Sequence, residues 1–159
     1  MLIGVLSDTH DNLDNLGRAV DLFNDRKVSH LLHAGDFTSP FTWRVIQHFK
    51  GDFTGIFGNN DGDRIFLRKL FSDRIFPQPH RLTLHDRKIV LLHEPDVAEA
   101  VAASGYFDLV VYGHTHEAML RKFGSSLLLN PGETGGWLYG KPSVAIVDLA
   151  SMEGEIIPI

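Results

Sequence analysis

Seven side chains able to ligate a metal ion follow short apolar runs in this chain. Asp8 and His10 come just after Leu2–Leu6, and Asp36 lies in Ala34-Gly35-Asp36. Asn59 lies in Gly58-Asn59-Asn60-Asp61, His93 follows Leu91-Leu92, and His114 and His116 lie in Gly113-His114-Thr115-His116. Carboxylate, amide oxygen and imidazole together suit ions of the Mn, Fe and Zn type, among which geometry selects. Asp8-Thr9-His10 and His114-Thr115-His116 each set two donors two residues apart. In extended backbone such side chains share a face, and in a tight loop they converge as well. A carboxylate between two cations bridges them, and Asp36 is the candidate. Two ions about 3.5–4 Å apart would clamp a phosphoryl oxygen and acidify a water into a nucleophile at neutral pH.

Each of these residues has a plainer role when taken singly. An Asp after a strand more often caps a helix or forms a turn, and a lone His is more often packed or solvated. Seven such placements together point to one site. His30, His33, His48, His80 and His85 lack the placement and are read as structural or surface residues, His33 being the closest of them in sequence to Asp36.

The elements that must carry these donors alternate. Leu2–Leu6 is short, apolar and bounded by a polar loop, which suits a buried strand. Leu13, Leu16, Val20 and Phe23 fall at helical spacing behind a cap at Asp11 or Asn12. His30–His33 starts a second cycle, with Ser39 as N-cap, Pro40 at the first helical position, and Phe41, Val45, Ile46 and Phe49 as the apolar face. A third cycle runs from a strand at 53–57 to a helix around 63–71. Alternation of this kind predicts parallel strands whose ligands gather at the carboxyl ends. Beyond Pro77 and Pro79 the pattern predicts a hairpin (81–84 and 88–92), a helix over 95–104, a strand at 109–112, and short strands near 118–123, 126–130, 143–148 and 154–157. These predict a second, mostly antiparallel sheet packed on the first.

At 159 residues, 43% hydrophobic and 22% charged, with no Cys, the chain is expected to form one domain over 1–159 with a substantial core. Without Cys there is no disulfide, thiolate ligand or cysteine nucleophile. The net charge of -5 weighs against stable nucleic-acid binding, which draws on Lys and Arg, but not against a phosphate ester held by metal ions. No apolar run approaches the roughly 18 residues of a membrane span, and the first apolar run lacks the basic flank of a signal peptide. A cytoplasmic location is the expectation.

The order and spacing of Asp8-Thr9-His10, Gly35-Asp36, Gly58-Asn59-Asn60-Asp61, His93 and Gly113-His114-Thr115-His116 resemble the calcineurin-like metallophosphoesterase family, from residue 1 to about 150. The short length and the Leu-Ser-Asp-Thr-His start resemble its small YfcE/MJ0936-type phosphodiesterase branch. The resemblance implies an α/β fold, a four-layer αββα sandwich with two mixed central sheets. It implies two divalent metal ions, Mn foremost, with Ni, Fe, Zn or Mg as alternatives. Asp8, His10 and His116 would hold the first and Asn59, His93 and His114 the second, with Asp36 between them. The implied activity is phosphodiester hydrolysis by in-line attack of a metal-bound hydroxide, with a monoesterase or a nucleotide or pyrophosphate hydrolase as alternatives. A non-catalytic protein-interaction scaffold of the VPS29 kind is the alternative from another class. Relatives include dimers and tetramers, so a homo-oligomer is open.

The chain departs from that pattern at several places. Many relatives carry His after the third-motif Asn, where this chain has Asn60; an amide cannot act as a general acid near neutral pH but can donate to a phosphoryl oxygen. Asn60 and Asp36 are therefore the expected catalytic groups. Glu94, where Gly is common, is expected to cap a helix beginning at Pro95. Glu133 stands where Ser is usual. Trp137 lines either the substrate mouth or a subunit contact, and Arg64, Arg121 and Lys122 are read as solvated surface charges.

Overall fold

The computed structural model describes residues 1–159. In chain order the elements are β1 (Leu2–Leu6), α1 (Leu13–Asp25), β2 (His30–His33), α2 (Trp43–Ile46, entered through a 3₁₀ turn, Pro40–Thr42) and β3 (Asp52–Ile56). They continue with α3 (Arg64–Leu70), β4 (Ile75–Phe76), β5 (His80–Leu84), β6 (Arg87–Leu91), α4 (Ala98–Ala103) and β7 (Leu109–Val111). The chain finishes with β8 (Met119–Phe123), β9 (Ser126–Asn130), β10 (Ser143–Asp148) and β11 (Glu153–Pro158).

Two mixed sheets result, ordered β11-β10-β1-β2-β3-β4 and β5-β6-β7-β9-β8. Three apolar clusters mark the interfaces between four layers. In the first, Leu16, Val20 and Phe23 of α1 and Leu67 of α3 pack on Leu6 and Leu31 of the first sheet. In the second, Ile3, Val5 and Leu32 meet Ile89, Leu109 and Leu129 between the sheets. In the third, Ala98 and Ala102 of α4 cover Val90, Val110 and Leu128. This is the αββα sandwich. β2 is buried on both faces, as a central strand under helices on one side and a sheet on the other must be.

Local chemistry sets the element starts. The Asn12 side chain accepts the Asn15 N–H at 3.2 Å and caps α1, and Ser39 caps the 3₁₀ turn that Pro40 opens. The structure also corrects the sequence reading. The helix expected after Ser39 is a single 3₁₀ turn and one α-turn, and Phe41 is 57% exposed rather than in the core. The helix expected over 95–104 starts at Ala98, so Glu94 does not cap it; its carboxylate accepts a hydrogen bond from the Gln78 amide. β4, a two-residue strand parallel to β3, is too short for periodicity to detect. β10 and β11 join the first sheet through antiparallel pairing of β10 with β1, and the second sheet has two parallel and two antiparallel pairings.

The consequence for the site is geometric. Parallel β1, β2 and β3 deliver their carboxyl-end loops to one edge of the first sheet, and parallel β6 and β7 do the same in the second. The loops are laced together by backbone hydrogen bonds: Asp8 N–H to Gly35 carbonyl (3.0 Å), His10 N–H to Asp36 carbonyl (3.1 Å), Gly113 N–H to His93 carbonyl (3.1 Å) and Gly135 N–H to Asp8 carbonyl (3.0 Å).

Candidate metal centre

Five of the seven donor residues, Asp8, His10, Asp36, His114 and His116, have φ between 42° and 66°. The left-handed region costs a non-glycine residue about 1 kcal/mol or more, so tertiary packing imposes it. The paired donors therefore converge through tight turns and not through strand alternation. Asp8, Asp36 and His93 are buried, whereas His10 and His116 are partly exposed and Asn59 and His114 lie at the surface.

The donor atoms gather in two overlapping groups, Asp8 with His10 and His116, and Asp8 with Asp36 and His93, each within 4.8 Å. His116 Nε2 lies 3.4 Å and His10 Nε2 3.8 Å from Asp8 Oδ1, and His10 Nε2 is 3.5 Å from Asp36 Oδ2. On the other side His93 Nε2 is 3.4 Å from Asp36 Oδ2. Asn59 Oδ1 is 2.9 Å from both His93 Nε2 and His114 Nδ1.

These atoms fit a cation. Asp8 Oδ1 and His10 Nε2 are buried without a hydrogen-bond partner, an arrangement that costs free energy unless something positive sits between them. His93 Nδ1 is 2.7 Å from the Ala34 carbonyl, which only accepts, so Nδ1 carries the ring hydrogen. In the neutral ring Nε2 then turns a bare lone pair onto Asn59 Oδ1 and Asp36 Oδ2. Acceptors facing acceptors require a proton or a metal.

The Calcineurin-like phosphoesterase superfamily domain matches residues 1–152. The chain belongs to that superfamily. It is 36% identical to Phosphodiesterase MJ0936 of Methanocaldococcus jannaschii over 159 residues, 96% of each chain. It superposes on an archaeal phosphodiesterase structure with a TM-score of 0.94 at 35% identity, covering all of both chains. Vacuolar Protein Sorting 29 from Cryptosporidium parvum has a TM-score of 0.72 at 19% identity, covering 99% of this chain and 96% of the other, a likeness of fold alone. Membership makes the chain a hydrolytic phosphoesterase of a metal-dependent family.

Several residues that support this phosphoesterase centre were not singled out by their sequence context. Asp61 reads as a turn former, yet its carboxylate accepts the N–H groups of Gly58 (2.7 Å), Asp36 (3.1 Å) and Thr38 (2.8 Å), tying the second and third loops together. Burial raises its pKa above the usual carboxylate value, against those hydrogen bonds. Arg64 donates to the Gly58 carbonyl at 2.6 Å and so braces that loop instead of lying free at the surface. Arg121, by contrast, is an exposed side chain paired with Glu99.

His33 is fully buried and stacked on Phe37 at 3.6 Å between ring centroids. Gly35 N–H donates to its Nδ1, so Nε2 carries the hydrogen toward Thr9 Oγ1. The Thr9 hydroxyl donates onward to the Asp36 carbonyl. Burial holds the His33 pKa well below the ordinary histidine value, so this chain of bonds uses the neutral ring. The Trp137 indole N–H donates to the His10 carbonyl at 3.1 Å, which sets Trp137 at the rim of the site.

The charges at the centre are coupled. Burial opposes ionisation of Asp36, but hydrogen bonds from His93 and Asn60 hold its carboxyl far below the usual range. Asp8 is shifted up, chiefly by burial. For His93, burial opposes protonation, yet the hydrogen bond and charge of Asp36 carry its pKa up to about 9. A raised histidine pKa contributes stability that is complete below the unfolded value of about 6.5 and is lost as pH climbs through the folded value. Metal-stripped protein is thus expected to show a urea midpoint that declines between pH 6.5 and 9. Added divalent metal should flatten the decline, because the ion takes the same lone pair as the proton. A midpoint independent of pH in stripped protein would contradict the coupling.

Proposed function

We propose that this phosphoesterase is a phosphodiesterase with a dinuclear divalent-metal centre, Mn being the favoured ion. Asp8, His10 and His116 are assigned to one ion, Asn59, His93 and His114 to the other, and Asp36 to both. The observation that carries the assignment is the convergence of ligand atoms: Asp8 Oδ1 and His10 Nε2 buried without a hydrogen-bond partner, His116 Nε2 facing Asp8 Oδ1, and Asn59 Oδ1 between His93 Nε2 and His114 Nδ1. When bound, two such ions supply Lewis acidity toward the phosphoryl oxygens and lower the pKa of water enough for in-line attack at neutral pH.

The chain's own groups do the rest. Asn60 gives its backbone N–H to Asp36 Oδ1 and its Nδ2 to Asp36 Oδ2, both at 2.8 Å, which keeps the carboxylate ionised and aimed. Nδ2 carries a second hydrogen, which we assign to a phosphoryl oxygen of the substrate. No imidazole stands at that position to protonate a departing alkoxide, so leaving groups that need little protonation are favoured.

Preference for diesters rests on the space beside His116. A pocket of about 360 Å³ opens there, lined by His116, Glu117, Ala118, Tyr139, Lys141 and Ser143. A diester has a second organic substituent to place in it and a monoester has none. Tyr139 offers a half-exposed ring for stacking and Lys141 an ammonium for an anionic group. Replacing Tyr139 and Lys141 by Ala is expected to raise KM about 5–10-fold for a nucleoside 5′-(p-nitrophenyl phosphate), with kcat and the kinetics of methyl p-nitrophenyl phosphate little changed, as loss of uniform binding requires. Equal effects on the two diesters would remove the pocket from the reading. The close relative named a phosphodiesterase supports the same substrate class.

A further inference from the structure

Glu133 is fully buried, yet the groups around it are all donors. Its Oε2 lies 2.6 Å from His116 Nδ1 and 3.1 Å from the Leu138 amide nitrogen. Its Oε1 accepts the N–H groups of Leu138 (2.9 Å) and Tyr139 (2.8 Å). A buried carboxylate needs this many partners to offset its lost hydration. Those partners lie in two different places. One is the ring whose other nitrogen, Nε2, faces Asp8 Oδ1 at 3.4 Å. The others belong to the segment after Gly136 that carries Trp137 over the His10 carbonyl and Tyr139 into the wall of the pocket.

We propose that Glu133 is a positioning residue with two coupled tasks. It fixes a hydrogen on His116 Nδ1, so that Nε2 is the nitrogen left to take a cation facing Asp8, and it fastens residues 137–139 to the same carboxylate. A carboxylate hydrogen bond to the far nitrogen orients a ligating histidine and sharpens its basicity. Here the same carboxylate also sets the distance between a histidine of the metal centre and the wall against which the substrate rests. The metal-facing part of the inference depends on the assignment of His116 under the proposed function; the tautomer and the loop attachment do not.

Glutamine separates this role from simple filling of space. Both oxygens of Glu133 accept, and an amide must present NH₂ to one side. If NH₂ faces His116, the ring must move its hydrogen to Nε2 and turn a donor toward Asp8. If NH₂ faces the loop, the Tyr139 amide loses its acceptor and the Leu138 amide keeps only the 3.1 Å contact to the other oxygen. The experiment is ¹H–¹⁵N NMR of the histidine rings in chelator-treated protein, with hydrogen exchange of residues 137–140 measured alongside, for wild type and E133Q. The His116 signal is assigned by its loss in H116A. Wild type should show His116 as Nδ1–H with protected Leu138 and Tyr139 amides. E133Q should show the inverted tautomer, lost protection, or both.

Native tautomer and native protection in folded E133Q would overturn the proposal. So would a wild-type His116 ring with no hydrogen on Nδ1, a result that stands even if E133Q fails to fold. Mn titration followed by electron paramagnetic resonance supplies the metal arm: E133Q should lose about 10–100-fold in affinity for one of two ions. If wild type bound no Mn at all, the functional reading would fail, while the NMR result would still decide the role of Glu133.

Discussion

Replacing Asp36 by Asn is expected to reduce phosphodiester turnover by more than about 100-fold, beyond the 10–100-fold that loss of an outer-shell partner brings. Asp36 has ring nitrogens of both sides within 4 Å, at 3.5 Å from His10 and 3.4 Å from His93. Asn is a clean substitution at this position. Asp36 has φ 61°, a conformation that Asn tolerates and Ala does not. The Asn60 donors at 2.8 Å face both oxygens, however, and one of them would meet NH₂. A stability loss of about 1–3 kcal/mol follows from that mismatch. The checks are turnover of bis-p-nitrophenyl phosphate, metal content after gel filtration, and a thermal melt. D36N should be folded, deficient in metal and inactive. A folded D36N with two ions and wild-type turnover would remove Asp36 from its central place.

A second large effect is expected from a residue with no side chain. A Cβ added to Gly58 would lie 2.2 Å from Asp36 Oδ1, 2.6 Å from the Asp36 amide nitrogen and 2.8 Å from its Cγ. Backbone is among the atoms struck, so a rotamer change cannot relieve the contact. The Asp36 loop must move, and with it the Asp61 carboxylate that holds both Gly58 and Asp36 N–H groups. Gly58→Ala should cost about 1–3 kcal/mol and about 100-fold in turnover, since a shift near 1 Å in a catalytic group is sufficient for that. Divalent metal is expected to raise the melting temperature of wild type by binding the native state, and this increment should shrink in G58A. Gly17 is the control: it lies in α1 with nothing within 4 Å of its Cβ position. Gly17→Ala should gain up to about 1 kcal/mol from helix propensity and leave turnover unchanged. Wild-type turnover in G58A would show that this close approach does not set Asp36.

The parts of the molecule legible in the sequence are those with local causes. The runs Leu2–Leu6, His30–His33 and 109–112 announce buried strands, and Asp11 or Asn12, and Ser39, announce caps, of which the structure uses Asn12 and Ser39. The seven candidate donors could be singled out because each follows an apolar run; their assignment to metal ions is the proposal made above. What was hidden is nonlocal. Nothing in Ser143–Asp148 says that it pairs with β1, since the register Leu2↔Asp148 joins opposite ends of the chain. Phe41 carries helical spacing but lies outward, because the 3₁₀ turn rotates it away from the core.

The supporting residues of the site follow the same rule. Asp61 and Glu133 stand in Asn-Asn-Asp-Gly and Pro-Gly-Glu, contexts that spell turns, and their work is to accept amides and a ring N–H brought to them by the fold. His33 looks like a strand residue and is one; its contacts with Gly35 and with Thr9, 24 positions away, tie it to the centre. Glu94 was expected to cap a helix because the sequence does not disclose that the first turn starts three residues late, at Ala98, or that Gln78 stands opposite.

The measurement that tests the central claim most directly is a Mn titration of chelator-stripped protein, following hydrolysis of bis-p-nitrophenyl phosphate beside p-nitrophenyl phosphate. The dinuclear account predicts negligible turnover in the stripped protein, a rise that levels off at two ions per chain, and faster hydrolysis of the diester. Diester turnover that survives stripping, or a folded protein holding two ions per chain that cleaves neither ester, would contradict it.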